Sequence, residues 1–194
     1  MFKNAKPQLH RASTRRRRNR GFTLIEAALA TVIVGTGVLS ILAAQQAYHR
    51  KNGWANHAGT AMLLANEIRE LTFGMPLHDP TTGSSFLGPE PGETSVKDYD
   101  DLDDFAGVVT SGIGAGTTFN PPINALGEEI PDMEQWTQHV KVEAVDPDYI
   151  SSTITRKLTT SNVVRVTVTV TYKATPESDA EKMGTLMWVV AEPQ

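Results

Sequence analysis

Five aspartates crowd into the nine residues "KDYDDLDDF" at 97–105: Asp98, Asp100, Asp101, Asp103 and Asp104. Carboxylates at this density can hold a hard cation such as calcium, or they can simply be hydrated. A regular calcium loop needs ligands at positions 1, 3 and 5 with glycine at 6. Counted from Asp98, position 5 is Leu102; counted from Asp101, it is Phe105. Both registers fail. The stretch reads as a solvated acidic turn anchored by Leu102 and Phe105, with calcium on irregular ligands as the lesser alternative.

Other groups capable of chemistry do not converge. His10, His49, His57, His78 and His139 show no H-x-x-x-H or H-E-x-x-H spacing, and they read as surface or strand residues. The run Gly112-Ile113-Gly114-Ala115-Gly116 lacks the G-K-[ST] ending of a phosphate loop. Ser84 and Ser111 have no G-x-S-x-G context. No cofactor is expected, and the chain is expected not to be an enzyme.

A different kind of residue is Glu26, at the head of an apolar run. Ala27 to Ala47 contains no charged residue and is mostly Ala, Val, Ile and Leu. As a helix, 21 residues extend about 31 Å, against a hydrocarbon core of roughly 30 Å. A carboxylate at bilayer centre costs about 2.5–3.5 kcal/mol on insertion scales, and less near the interface. Thr23-Leu24-Ile25-Glu26 also fits a capping box, in which Thr23 caps and Glu26 reaches back.

Charge is divided unevenly along the 194 residues. Residues 1–20 hold eight Lys or Arg and no acid, leaving 10 basic against 22 acidic residues in the remainder. An acidic body argues against a nucleic-acid partner. A basic arm beside an apolar run suits a cytoplasmic flank, with residues beyond Arg50 facing outward. A secretory cleavage site is poor here, because Leu42 and Gln45 fall where small residues are required. A twin-arginine signal is conceivable from the arginine run. Neither signal accounts for Glu26. The chain has no cysteine, which excludes disulfides and thiolate metal sites.

Gly21-Phe22-Thr23-Leu24-Ile25-Glu26, preceded by basic residues and followed by the apolar run, resembles the prepilin signal of type IV pilins and pseudopilins. "AALATVIVGTGVLSILAAQQ" with "AMLLANEIREL" downstream is most similar to the PilV-type minor pilins. The resemblance implies a leader at residues 1–21 and cutting between Gly21 and Phe22 by a prepilin peptidase. It further implies methylation of Phe22, and a Glu26 carboxylate paired with the Phe22 ammonium of a neighbouring subunit. Other implied partners are fellow pilin or pseudopilin subunits and an inner-membrane assembly platform. The implied location is the inner membrane, with the C-terminal domain periplasmic or extracellular. A type II secretion minor pseudopilin is the near alternative; a single-pass anchor for a periplasmic binding domain is the alternative from another class.

The elements expected to position these groups follow from periodicity. Residues 22–47 form the transmembrane and assembly helix, and residues 48–73 its amphipathic continuation. Ala61, Leu64, Ala65, Ile68, Leu71 and Thr72 share one face of that continuation, and Gly74 and Pro76 end it. Gly35 and Gly37 read as close helix packing in lipid or, as the resemblance implies, as a segment that opens on filament assembly. Residues 74–135 carry seven of the 11 prolines and nine of the 15 glycines, so they read as a long connecting region, surface-draped rather than strand-rich. Residues 136–194 hold alternating patterns at Gln138–Val145 and Val163–Tyr172 and an apolar strand at Thr185–Ala191. The expected fold is α+β, a long helix packed on an antiparallel sheet, which agrees with the pilin-like lollipop that the resemblance implies.

Overall fold

The computed structural model describes residues 21–192; the basic arm and most of the expected leader lie outside them. One helix, α1, spans Leu24–Leu71. The chain divides into two compact units, the first ending at Tyr48 and the second starting at His49.

In the first unit α1 is apolar on every side. Leu29, Val32, Ile33, Val34, Leu39 and Ile41 are all exposed, so no aqueous core receives them. A helix without a polar face needs lipid or partner helices around it. Length and composition suffice for a membrane span. Its few hydroxyls are internally satisfied. Thr31 Oγ1 donates to the Ala27 carbonyl at 2.9 Å, Thr36 Oγ1 to that of Val32 at 3.0 Å, and Ser40 Oγ to that of Thr36 at 2.8 Å. Such back-bonding removes the cost of bare hydroxyls in an apolar medium.

The second unit is built on the continuation of α1. Ala61, Leu64, Ala65 and Ile68 are buried, as the spacing of three and four demands. Beyond Leu71 the chain turns at Gly74, whose φ of +84° suits glycine. Four strands form an antiparallel sheet in chain order: β3 (Thr117–Phe119), β4 (Trp136–Ala144), β5 (Val163–Tyr172) and β6 (Glu181–Ala191). A separate two-stranded ribbon joins β1 (Val109–Thr110) to β2 (Ile113–Gly114). The register sets Val140 opposite Val168 and Val142 opposite Val166, and on the far side Val166 opposite Trp188. Period-two alternation thus sends Val164, Val166, Val168 and Val170 into the same core as the helix residues. Each such burial contributes about 1.5–3 kcal/mol relative to exposure. At Gly184 on β6, an added Cβ would lie only 3.1 Å from the Cβ of Ala61, so helix and sheet meet at small residues.

The region 74–135 corrects the expectation of a surface-draped connection. It supplies three strands, one of them the sheet edge β3, and it buries Leu77, Leu102, Phe105, Ala106 and Ile123 in the main core. Its apolar residues are spaced too irregularly for any single period to show them. The glycine run has a packing role: a side chain on Gly116 (φ +88°) would collide with the Val140 carbonyl of β4.

Candidate functional site

Two places carry the groups singled out by the sequence: the start of α1 and the acidic stretch. At the start of α1, Gly21, Phe22 and Thr23 precede the helix and Glu26 sits in its first turn. Thr23 Oγ1 accepts the Glu26 N–H at 3.3 Å, and the Thr23 carbonyl accepts the Ala27 N–H at 3.1 Å. Thr23 is therefore the N-cap, as the T-x-x-E pattern suggests. The bond to the cap uses the Glu26 backbone. Phe22, Leu24 and Ile25 are exposed around it, so the carboxylate stands on an apolar surface beside the residue that cleavage would make N-terminal.

The acidic stretch departs from the solvated turn expected for it. Leu102 and Phe105 are its buried anchors, as expected, but Asp101, Asp103 and Asp104 are buried with them, at 0%, 1% and 0% exposure. The cause is local winding: Asp104–Ala106 form a 3-10 turn that draws the flanking carboxylates inward with Phe105. Asp101 Oδ1 accepts the N–H groups of Asp103 at 2.7 Å and Asp104 at 3.1 Å. Asp104 Oδ2 accepts those of Asp100 at 3.1 Å and Asp101 at 3.3 Å. The remaining oxygens, Asp101 Oδ2 and Asp104 Oδ1, are buried without a hydrogen-bond partner.

The five sequence candidates separate into different roles. Asp100, Asp101 and Asp104 bring carboxylate oxygens within 4.8 Å of one another. Asp103 leaves this group: it accepts from the Gly88 N–H and pairs with His78 Nδ1. That hydrogen bond to Asp103 raises the His78 pKa, against the opposing effect of burial. Asp98 also leaves it, capping its own turn through the Ser95 N–H at 2.9 Å and Ser95 Oγ at 3.0 Å. In their place stand two residues that sequence reading missed, because Glu90, Glu93 and Asp104 form a second triad within the same limit. Glu90 Oε2 is likewise buried and unpartnered. Nothing local marks Glu90 and Glu93, since only the chain reversal between them and Asp104 brings them near.

Burial and mutual repulsion act together on these carboxyls. Desolvation, then the charge of Asp103, pushes Asp101 up to about 7; desolvation, then the charge of Asp101, pushes Asp104 up to about 8. Among the described residues none of the five acids in the two triads is ion-paired to a lysine or arginine. The remaining histidines are dispersed: His57 packs on Trp136 and Tyr172, and His139 bonds to the Thr118 hydroxyl at 2.9 Å.

An apolar helix behind a short basic-flanked Gly-Phe junction, leading into a helix-on-sheet domain, is an α+β arrangement of the pilin kind. Residues 16–42 match the model of the prokaryotic N-terminal methylation motif. The chain therefore carries the class III signal of type IV pilin-like prepilins, the substrates of prepilin peptidase. Neither the curated proteins nor the solved structures provide a match to it.

Proposed function

We propose that this chain is a minor pilin or pseudopilin, a membrane-anchored, non-enzymatic subunit that assembles through its N-terminal helix into a type IV pilus-like filament. Prepilin peptidase cuts between Gly21 and Phe22, and the new Phe22 amine is methylated. One observation carries this reading: the methylation motif at 16–42 runs directly into a helix whose apolar side chains are exposed on all sides. A cleaved chain keeps that helix as a membrane anchor and then as a filament core. Within the filament, Glu26 pairs with the Phe22 ammonium of a neighbour. A buried carboxylate is costly alone and tolerable when paired, so docking is favoured at the axial stagger that joins the two charges.

The test is co-expression with and without a prepilin peptidase, followed by intact mass measurement. The expected product lacks residues 1–21 and carries one added methyl on Phe22. A chain left uncut by an active peptidase would return the assignment to a plain single-pass anchor. Co-purification of the cut chain with sheared pili, rather than with a type II secretion complex, separates the two machines.

A further inference from the structure

We propose that the acidic cluster in the segment joining α1 to the sheet is a calcium site, in which Asp100, Asp101 and Asp104 ligate one ion and Glu90 and Glu93 complete its acidic wall.

Two independent observations converge here. The first is the spacing. Three carboxylate oxygens from Asp100, Asp101 and Asp104 lie within 4.8 Å of one another, and Asp104 is shared with the triad of Glu90 and Glu93. Calcium binds oxygen at about 2.3–2.6 Å, so opposite ligands stand up to about 5 Å apart, and these oxygens can reach a common ion with little movement. The second observation is the unmet valence of the innermost groups. Asp101 and Asp104 are fully buried, and each keeps one oxygen with no hydrogen-bond partner. Each one's other oxygen is engaged with backbone N–H groups, which fixes the carboxylate in place. Glu90 adds a third buried unpartnered oxygen. Buried carboxylates in native proteins that keep their charge are hydrogen-bonded, paired or bound to metal. No lysine or arginine among the described residues pairs with them.

The donor set selects the ion class. It is all oxygen and carries several negative charges, which suits a hard divalent cation rather than zinc or copper. The acidic groups come from two stretches, 90–93 and 100–104, rather than one twelve-residue loop, and the three ligands are not at alternating positions, so no regular register fits the aspartate run. Calcium tolerates such irregular, flexible coordination, whereas magnesium demands a near-ideal octahedron at about 2.0–2.1 Å and sheds its water reluctantly. Asp100 is solvent-exposed at the rim, and Glu93 is half-buried, so the ion has a polar path in. A bound ion would tie the 88–106 segment, and with it the Leu102 and Phe105 anchors, to a single arrangement against the core.

The experiment uses the full-length chain in a nonionic detergent, freed of metal with EDTA and titrated with calcium chloride. Calorimetry should show saturable binding with a dissociation constant near or below about 1 mM, the range of extracellular calcium modules. Thermal unfolding at saturating calcium should rise by about 4 °C or more, with a clearly smaller rise in magnesium. Asp104→Asn should raise the midpoint of the metal-free protein, because it removes a carboxyl that burial and the neighbouring Asp101 both disfavour, while abolishing the calcium response. Exposed Asp100→Asn, which carries no folding risk, should weaken calcium binding by about tenfold, and Asp98→Asn should leave it unchanged. Absence of a saturable calcium response, an equal magnesium response, or Asp100→Asn binding as tightly as the parent would each overturn the site. So would loss of the response in Asp98→Asn.

Discussion

Gln138, on the core face of β4, donates from Nε2 to the backbone carbonyl of Leu64 on α1 at 2.7 Å. The same amide donates to the Ile123 carbonyl at 3.1 Å, and its Oε1 accepts the Ile123 N–H at 2.8 Å. One fully buried side chain thereby joins the helix, the sheet and the 120s loop. Replacing it with leucine keeps the volume but strands the Ile123 N–H and carbonyl away from water. Gln138→Leu is expected to destabilise the domain by about 1–3 kcal/mol. Urea unfolding followed by tryptophan fluorescence measures this, and an unchanged midpoint would deny the amide its bridging role.

Gln138 also shows where the sequence is legible and where it is not. Val163–Tyr172 alternates without interruption, and β5 has those bounds. β6 begins at Glu181, four residues before its apolar run, because Glu181, Lys182 and Gly184 are held by pairing with β5 rather than by their own burial. β3 has three residues and no pattern of its own; pairing with β4 makes it a strand. Gln138 and Glu143 sit in the alternation as ordinary polar residues, yet both are buried: Gln138 meets Leu64 and Ile123 from distant segments, and Glu143 meets Thr155 and Arg165 beside its near neighbour Lys141. At the acidic stretch, proximity of Ser95 to Asp98 is a local signal that could have removed Asp98 from the cation candidates. Recruitment of Glu90 and Glu93 depends on the fold of a proline- and glycine-rich region and has no local signal. The start of α1 is the opposite case: its meaning is contained in contiguous residues, and a short motif suffices.

Glu143 lies opposite Arg165 in the β4–β5 register. It accepts from Lys141 Nζ at 2.7 Å, Thr155 Oγ1 at 2.9 Å and Arg165 Nη2 at 3.1 Å. Burial alone would raise its pKa, but the bonds from Lys141, Arg165 and Thr155 outweigh burial and leave it lowered. A lowered folded-state pKa means stability that is present in full above the ordinary glutamate value of 4.5 and is lost as pH falls through the folded value. Glu143→Gln should therefore cost about 1–3 kcal/mol at pH 7, and the difference from the parent should shrink below pH 4.5. Denaturation midpoints at several pH values give the comparison. A gap that stays constant into acid would mean that the charge is not the stabilising element.

The junction at Gly21 makes a separate prediction about processing. Gly21 lies before the helix, and nothing lies within 4 Å of a Cβ built on it, so folding of the chain itself does not require glycine. A requirement for a small residue must then come from the peptidase, whose active site threads an extended chain. Gly21→Val should leave expression and membrane insertion intact and block removal of residues 1–21 in the co-expression assay. Full processing of that variant would count against cleavage at this position.

The most discriminating prediction concerns the Glu26 charge. If Glu26 serves only to start the helix, Glu26→Gln should change little, because glutamine also serves at the third position of a capping box. The observed cap bond runs from the Glu26 backbone N–H to Thr23 Oγ1, and glutamine leaves both atoms in place. Helix initiation and cleavage after Gly21 should therefore survive, and membrane insertion should be unchanged or improved. What the variant loses is the negative charge that, in the proposed filament, faces the Phe22 ammonium of a neighbour. Removing one member of a desolvated pair leaves the other uncompensated, and incorporation should fall by roughly tenfold or more. The measurement is recovery of cleaved protein in sheared filaments or with partner subunits, with cleavage scored on the same samples. Normal recovery of cleaved Glu26→Gln protein would defeat the charge-pair mechanism and leave capping as the reason a glutamate stands there.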